Sequence, residues 1–220
     1  MKFIILLLTS MIFFSCNEKI KIKKMVDKKK IDTLYIRELS NKSYMFNFSY
    51  MKDSTHPDVI KCKKIVITDL SRGLQIQEIK IDTIEMYERN IYFSIDEDVN
   101  FDGYDDICVL NYEGAYTSTF SFWLYDKKNI QFKHYKSLDE IQNPVIIKEK
   151  KEICSSWHSG VSNFYLEKYF WQNNSLILKE KYEESETDKK RLTITKLVNN
   201  KYEVKNSVIK DNVVMFMNCQ

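Results

Sequence analysis

The sequence predicts an all-β fold, an antiparallel meander of propeller-like or sandwich form. Three observations carry this. Short apolar segments with period two or brief apolar runs recur along the chain, bounded by turn residues. No segment keeps a 3.6-residue period beyond about two turns. The 14 Tyr, 13 Phe and 3 Trp belong to the aromatic class that favours pleated surfaces.

Taken in order, the chain opens on a leader. Lys2 is followed by an apolar run from Phe3 to Phe14. That run is too short to cross a hydrocarbon layer of ~30 Å comfortably, and reads as a secretory signal over residues 1–15. The ending Phe13-Phe14-Ser15-Cys16 resembles a bacterial lipobox, with Phe13 in place of the usual Leu. The resemblance implies cleavage before Cys16 and a diacylglyceryl group on its sulfur, hence a lipid-anchored protein. Ordinary secretion with a free Cys16 is the alternative. Residues 16–40 follow as a Lys-rich tether, with seven lysines between Asn17 and Lys30 against Glu18 and Asp27. Such a segment suits an anionic membrane surface, each Lys adding ~1 kcal/mol of attraction. The residue directly after Cys16 is Asn17 rather than an acidic retention residue, and the tether lacks an acidic surface-export tag, so the default place is the outer membrane, facing the periplasm. Residues 41–220 read as a single all-β domain of ordinary size.

Within that domain Tyr44, Phe46, Phe48 and Tyr50 alternate with polar or smaller residues, the signature of a half-buried strand. Strands are expected over 60–70 and 74–81; in the second the apolar parity changes between Ile76 and Ile79, which predicts a bulge. Further strands are expected over 91–95, 107–112, 119–125 and 130–135. Residues 137–144 form a connector, 145–153 one extended segment and 155–160 a loop. Two hairpins close the chain, 164–171 with 176–182 and 192–198 with 202–209. Their turns are Asn173-Asn174 and Asn199-Asn200, because Asn tolerates left-handed backbone angles. This explains how a chain with 4 Gly and 2 Pro makes so many turns.

Between two of these strands stands Asp98-Val-Asn-Phe-Asp-Gly-Tyr-Asp-Asp106. Oxygen-bearing side chains fall at its first, third, fifth and ninth positions, and Gly103 at the sixth, where a positive φ costs little. Hard cations take six to eight oxygens at ~2.3–2.6 Å. Asp98, Asn100, Asp102 and Asp106 offer side-chain oxygens for a structural Ca2+ ion, and Tyr104 its backbone carbonyl. Val109 occupies the place of an EF-hand's bidentate Glu and the flanks are strands, so this is no EF-hand. An acidic turn that binds nothing is the plain alternative.

This loop resembles the FG-GAP/VCBS calcium loops of β-propeller blades. A longer resemblance covers roughly residues 91–183: DVNFDGYDDI at 98–107, a glycine-containing loop, FWLYD at 122–126, Phe132, the Asn143-Pro144 connector, Ser155 and YFWQNNSLIL at 169–178. The order is similar to a family of bacterial periplasmic lipoproteins, one branch of which confers immunity by inhibiting lysozyme-like effectors of a type IV secretion system. The resemblance implies a calcium-stabilised, all-β, inhibitor-like module. No residue of the family's inhibitory loop is carried over.

An inhibitor needs projecting anchors rather than catalytic groups. Two loops qualify, one carrying Tyr112 and Tyr116, the other Trp157 and His158. Against this, Trp157 could pack on the core and His158 lie idle on the surface. The leading expectation is a lipid-anchored periplasmic protein that inhibits a lysozyme-like peptidoglycan hydrolase. The alternative is a calcium-stabilised adhesion module binding glycan or another envelope protein. An enzyme is not expected: there is no Gly-x-Ser-x-Gly elbow, His-Glu-x-x-His or phosphate loop. Glu183-Glu184 is read as a solvated hairpin end. A net charge of +3 makes no case for nucleic acid. Beyond Cys16, the four cysteines (62, 108, 154 and 219) permit up to two disulfides in three connectivities.

Overall fold

The computed structural model describes residues 21–26, 33–81, 84–160, 163–186 and 190–209, together with Val214 and Cys219. The leader and Cys16 lie outside the described residues. Among the described residues sixteen strands form three antiparallel sheets, each a meander apart from β6. The first holds β1 (Lys21–Val26), β2 (Thr33–Ser40), β3 (Tyr44–Lys52), β4 (Val59–Asp69) and β5 (Leu74–Lys80) in that order, with β6 (Glu85–Tyr87) paired to β4. The second runs β10 (Gln131–His134), β9 (Ser118–Asp126), β8 (Asp106–Glu113), β7 (Phe93–Glu97). The third runs β11 (Pro144–Ile147), β12 (Glu152–Ser159), β13 (Asn163–Gln172), β14 (Ser175–Glu186), β15 (Lys190–Val198), β16 (Lys201–Val208). The all-β antiparallel expectation therefore holds. Among the described residues no helix is long and apolar enough to cross a membrane.

The period-two reading works where one strand face is buried. Phe46, Phe48 and Tyr50 of β3 point into the core. Phe48 stacks on Phe93 at 4.9 Å and Phe46 meets Phe132 edge-on at 5.6 Å, which joins the first sheet to the second. Burying each such side chain stabilises the fold by about 1.5–3 kcal/mol. The Gln77 side chain adds a polar seam: its amide donates to Phe132 O and accepts from Phe132 N, both at 2.8 Å. The expected bulge falls at Ile76, since Gln75 and Gln77 face consecutive residues of β4. A second core of Val99, Cys108, Phe122, Leu138, Ile141 and Ile153 joins the second sheet to the third. Both Asn-Asn turns carry positive φ at each residue, 50° and 60°, then 50° and 62°.

Several expectations need correction. The described parts of the expected tether over 16–40 are strands: β1 pairs with β2, and Leu39 is buried. The Lys-rich composition masks this: Lys19-Ile-Lys-Ile-Lys23 alternates briefly, but the pairing of β1 with β2 is a tertiary property. The single segment expected over 145–153 is two strands with a turn at Lys151, whose φ is 52° with no Gly or Pro to mark it. The loop expected over 155–160 is largely the end of β12. Glu184 is not solvated; it is 2 % exposed and accepts a hydrogen bond from Val214 N at 2.8 Å.

Among the described residues one disulfide forms, Cys154–Cys219, closing a separation of 65 residues. Cys62 and Cys108 are buried free thiols, and burial pushes the Cys62 thiol up to about 12.

Candidate functional site

Two places gather the residues singled out by sequence. The acidic loop connects β7 to β8. Asp98 accepts from Asp102 N at 3.0 Å and Gly103 N at 2.9 Å, and Asp102 accepts from Tyr104 N at 3.0 Å. Asn100 donates its amide to Asp102 at 2.9 Å. Gly103 takes φ 89°, as the sharp turn requires. Trp171 of β13 donates its indole N–H to Val99 O at 2.8 Å, so the third sheet holds the loop.

Asp106 behaves differently from the other donors. It is fully buried, and its two oxygens accept from Tyr125 N at 2.8 Å and Val99 N at 2.9 Å. Burial pushes its carboxyl up to about 7, against those two bonds, which favour the anion. Burial also raises the Asp105 carboxyl, followed by the charges of Asp96 and Asp98. The donors suit Ca2+ in chemical type, and the backbone turn suits it at the first six positions. Among the described residues no three His, Cys, Asp or Glu side chains group as a metal site. Asp106 secures the loop from its inner side, bridging it to β9.

The second place is the end of the molecule where the 113–118 turn meets β12. Gly114 N donates to Thr117 O at 2.7 Å. A Cβ at Gly114 would stand 2.8 Å from the Tyr112 hydroxyl, so glycine lets that side chain fold across the turn. Tyr112 and Tyr116 are 58 % and 66 % exposed. The Tyr116 ring lies 4.3 Å from the His158 ring, and Phe164 backs His158 at 5.7 Å. His158 Nδ1 lies 2.8 Å from Gly160 O, a hydrogen bond in the tautomer protonated there.

Asn143 ties this end together. Its amide nitrogen donates to Tyr116 O at 3.0 Å and Ser156 O at 2.9 Å; its amide oxygen accepts from Ser118 N at 2.7 Å and Ser118 Oγ at 3.1 Å. It does so at φ 45°, which Asn tolerates better than most residues. The Asn-Pro dipeptide marks a turn in sequence but names no partner. Trp157 faces away from His158, as neighbours on a strand must. It stacks on Tyr165 at 4.1 Å, with Lys181 over the far ring at 5.2 Å. The four candidate anchors thus divide into Tyr112, Tyr116 and His158 on the turn and its flank, and Trp157 packed on β13.

A cleft of roughly 500 Å³ also opens between the first two sheets, beside the acidic loop. Tyr44, Tyr104 and Tyr125 line it with Asn41, Asp96 and Asp105.

No protein-family model matches the chain, and no curated protein does. The fold is similar to a solved structure described as that of a Xanthomonas type IV secretion system related protein. The likeness covers 87 % of this chain and 100 % of that one, with a TM-score of 0.54 and 18 % identity. At that identity the likeness is one of fold.

Proposed function

We propose that this protein is a lipid-anchored component of the bacterial cell envelope that binds and inhibits a lysozyme-like peptidoglycan hydrolase. It would work without catalysis, by presenting rigid aromatic anchors to the hydrolase cleft. One observation carries the reading: the surface Tyr116–His158 ring pair, its tyrosine exposed and its histidine half-buried, fixed by Asn143, on a fold shared with a type IV secretion system related protein. Tyrosine is enriched among binding hot spots because it brings large area and a polar tip at small entropic cost. In the same reading Cys16 carries the anchor and the protein faces the periplasm. Ca2+ binding would draw Asp98, Asn100, Asp102 and the Tyr104 carbonyl together from the positions they hold here, with Asp106 kept on its two backbone N–H groups and contributing charge from beside the ion.

The test mixes purified protein with a panel of lysozyme-like hydrolases and follows peptidoglycan lysis and complex formation. Stoichiometric inhibition of at least one supports the reading; neither inhibition nor a complex across the panel removes it.

The tyrosine-lined cleft favours a second reading, a glycan-binding adhesion module, since Tyr rings beside carboxylates and amides suit sugar stacking and hydroxyl recognition. A glycan array separates the two: saccharide binding without hydrolase inhibition selects the second.

A further inference from the structure

We propose that β16 is a self-association edge, and that two copies of this chain pair antiparallel through it about a two-fold axis at Val204. This stands apart from the inhibitor reading and does not depend on it.

An open edge strand exposes unpaired backbone groups, and proteins normally blunt such edges by shortness, proline, bulges or cover. Among the described strands the other edges are blunted, except β1, which is shorter at 6 residues. β10, β7 and β11 have 4, 5 and 4 residues, β11 begins with Pro144, and β5 carries the bulge. β16 carries one further protection, charged side chains at Lys201, Glu203 and Lys205, but none of the four just named. It is 8 residues long, the longest edge among the described strands, without Pro or Gly and in unbroken register with β15. All 8 residues are exposed, so no described segment covers either face. One face presents Tyr202, Val204 and Val208, which are 51 %, 57 % and 67 % exposed. The other presents Lys201, Glu203 and Lys205. Among the described residues neither Glu203 nor Lys205 has an ion-pair partner, although both project from an ordered strand.

Charge and strand overlap then select the register, since a Tyr202 centre also opposes Lys201 to Glu203 but runs past the strand's start into the Asn199-Asn200 turn. An antiparallel edge pairing must set outward-pointing backbone groups opposite one another, so a two-fold axis passes beside a residue. Centred on Glu203, the pairing opposes two glutamates and sets Lys201 against Lys205. Centred on Lys205, it opposes two lysines. Centred on Val204, it sets Glu203 opposite the second copy's Lys205 twice, Val204 opposite its twin, and Tyr202 opposite Asn206. Opposite charges directly across strands stabilise and like charges destabilise. This register also engages residues 201–207, so the third sheets of two copies become continuous.

Sedimentation equilibrium of the purified protein, with Glu203→Lys, Lys205→Glu and the double reversal, tests the proposal. Reversible dimerisation is expected, weakened about tenfold by either single reversal and restored by both together. A Val204→Cys variant, altered only at an exposed position, should form a dimer through its new thiol under mild oxidation, because twinned side chains there lie close enough to link. A monomer at every concentration with no cross-link overturns the proposal. Dimers indifferent to the charge reversals overturn it equally, because they would use another surface.

Discussion

The Tyr116 and His158 rings lie 4.3 Å apart, although one belongs to the turn after β8 and the other to β12 of a different sheet. Asn143 makes the meeting possible, since a single amide bonds the backbone of both segments. The pair is thus one surface feature held from two sheets rather than two separate loops.

If that pair anchors the hydrolase, Tyr116→Ala and His158→Ala should each weaken inhibition by about tenfold or more, the usual cost of losing a hot-spot side chain. Each change also removes the ring contact between them, so unfolding free energy should fall by about 0.5–1.5 kcal/mol, too little to unfold the protein. Inhibition titrations alongside urea melts check both statements.

Asn143→Ala should cost about 2–4 kcal/mol in urea unfolding. The change strips hydrogen bonds worth about 0.5–1.5 kcal/mol each and places a Cβ-bearing residue at positive φ without local polar support. Asn143→Gly removes the same bonds and accepts the backbone angle, so it should be milder by about 1 kcal/mol. Equal losses would mean that the angle carries no strain.

Calcium should raise the melting temperature and a chelator lower it, because an ion bound only by the native state adds stability by mass action. Superimposable melting curves would remove calcium from the account.

Asp106 supplies a pH dependence of definite sign. Its carboxyl titrates near 7 in the folded protein against about 3.9 unfolded, so the native state binds the extra proton between those values. Its contribution to stability is full below about pH 4 and is lost as pH rises through 7. Carbon-detected NMR of the Asp106 carboxyl should show a midpoint near 7 without calcium. A divalent ion in the adjacent loop favours the anion and should lower that midpoint. A midpoint unmoved by saturating calcium would place the ion elsewhere.

Cys219→Ser should cost about 2–4 kcal/mol, the usual stabilisation from closing a long loop, and reductant should reproduce the loss. Calorimetry with and without reductant measures it. A small loss would show that Val214, packed against Leu166 and Leu192, holds the tail by itself.

Much of this fold is written locally. Alternation in residues 44–50, the parity change at Ile76 and the two Asn-Asn pairs are short-range signals, and each has a short-range cause in strand faces or left-handed turns. The position of the acidic loop between two strands is legible for the same reason. The strand at Lys21–Val26 and the turn at Lys151 were hidden, because neither composition nor a turn residue announces them.

By itself, then, the sequence determined the all-β class, most strand positions and the chemistry of the loop between β7 and β8. Only the tertiary structure decided that Asp106 turns inward to backbone N–H groups, that Tyr116 meets His158 while Trp157 does not, that Cys154 pairs with Cys219, and that β16 is left open. The reason is range. Strand alternation and turn angles act between residues a few positions apart, whereas burial, amide clamps and sheet edges depend on which distant segments arrive at the same place.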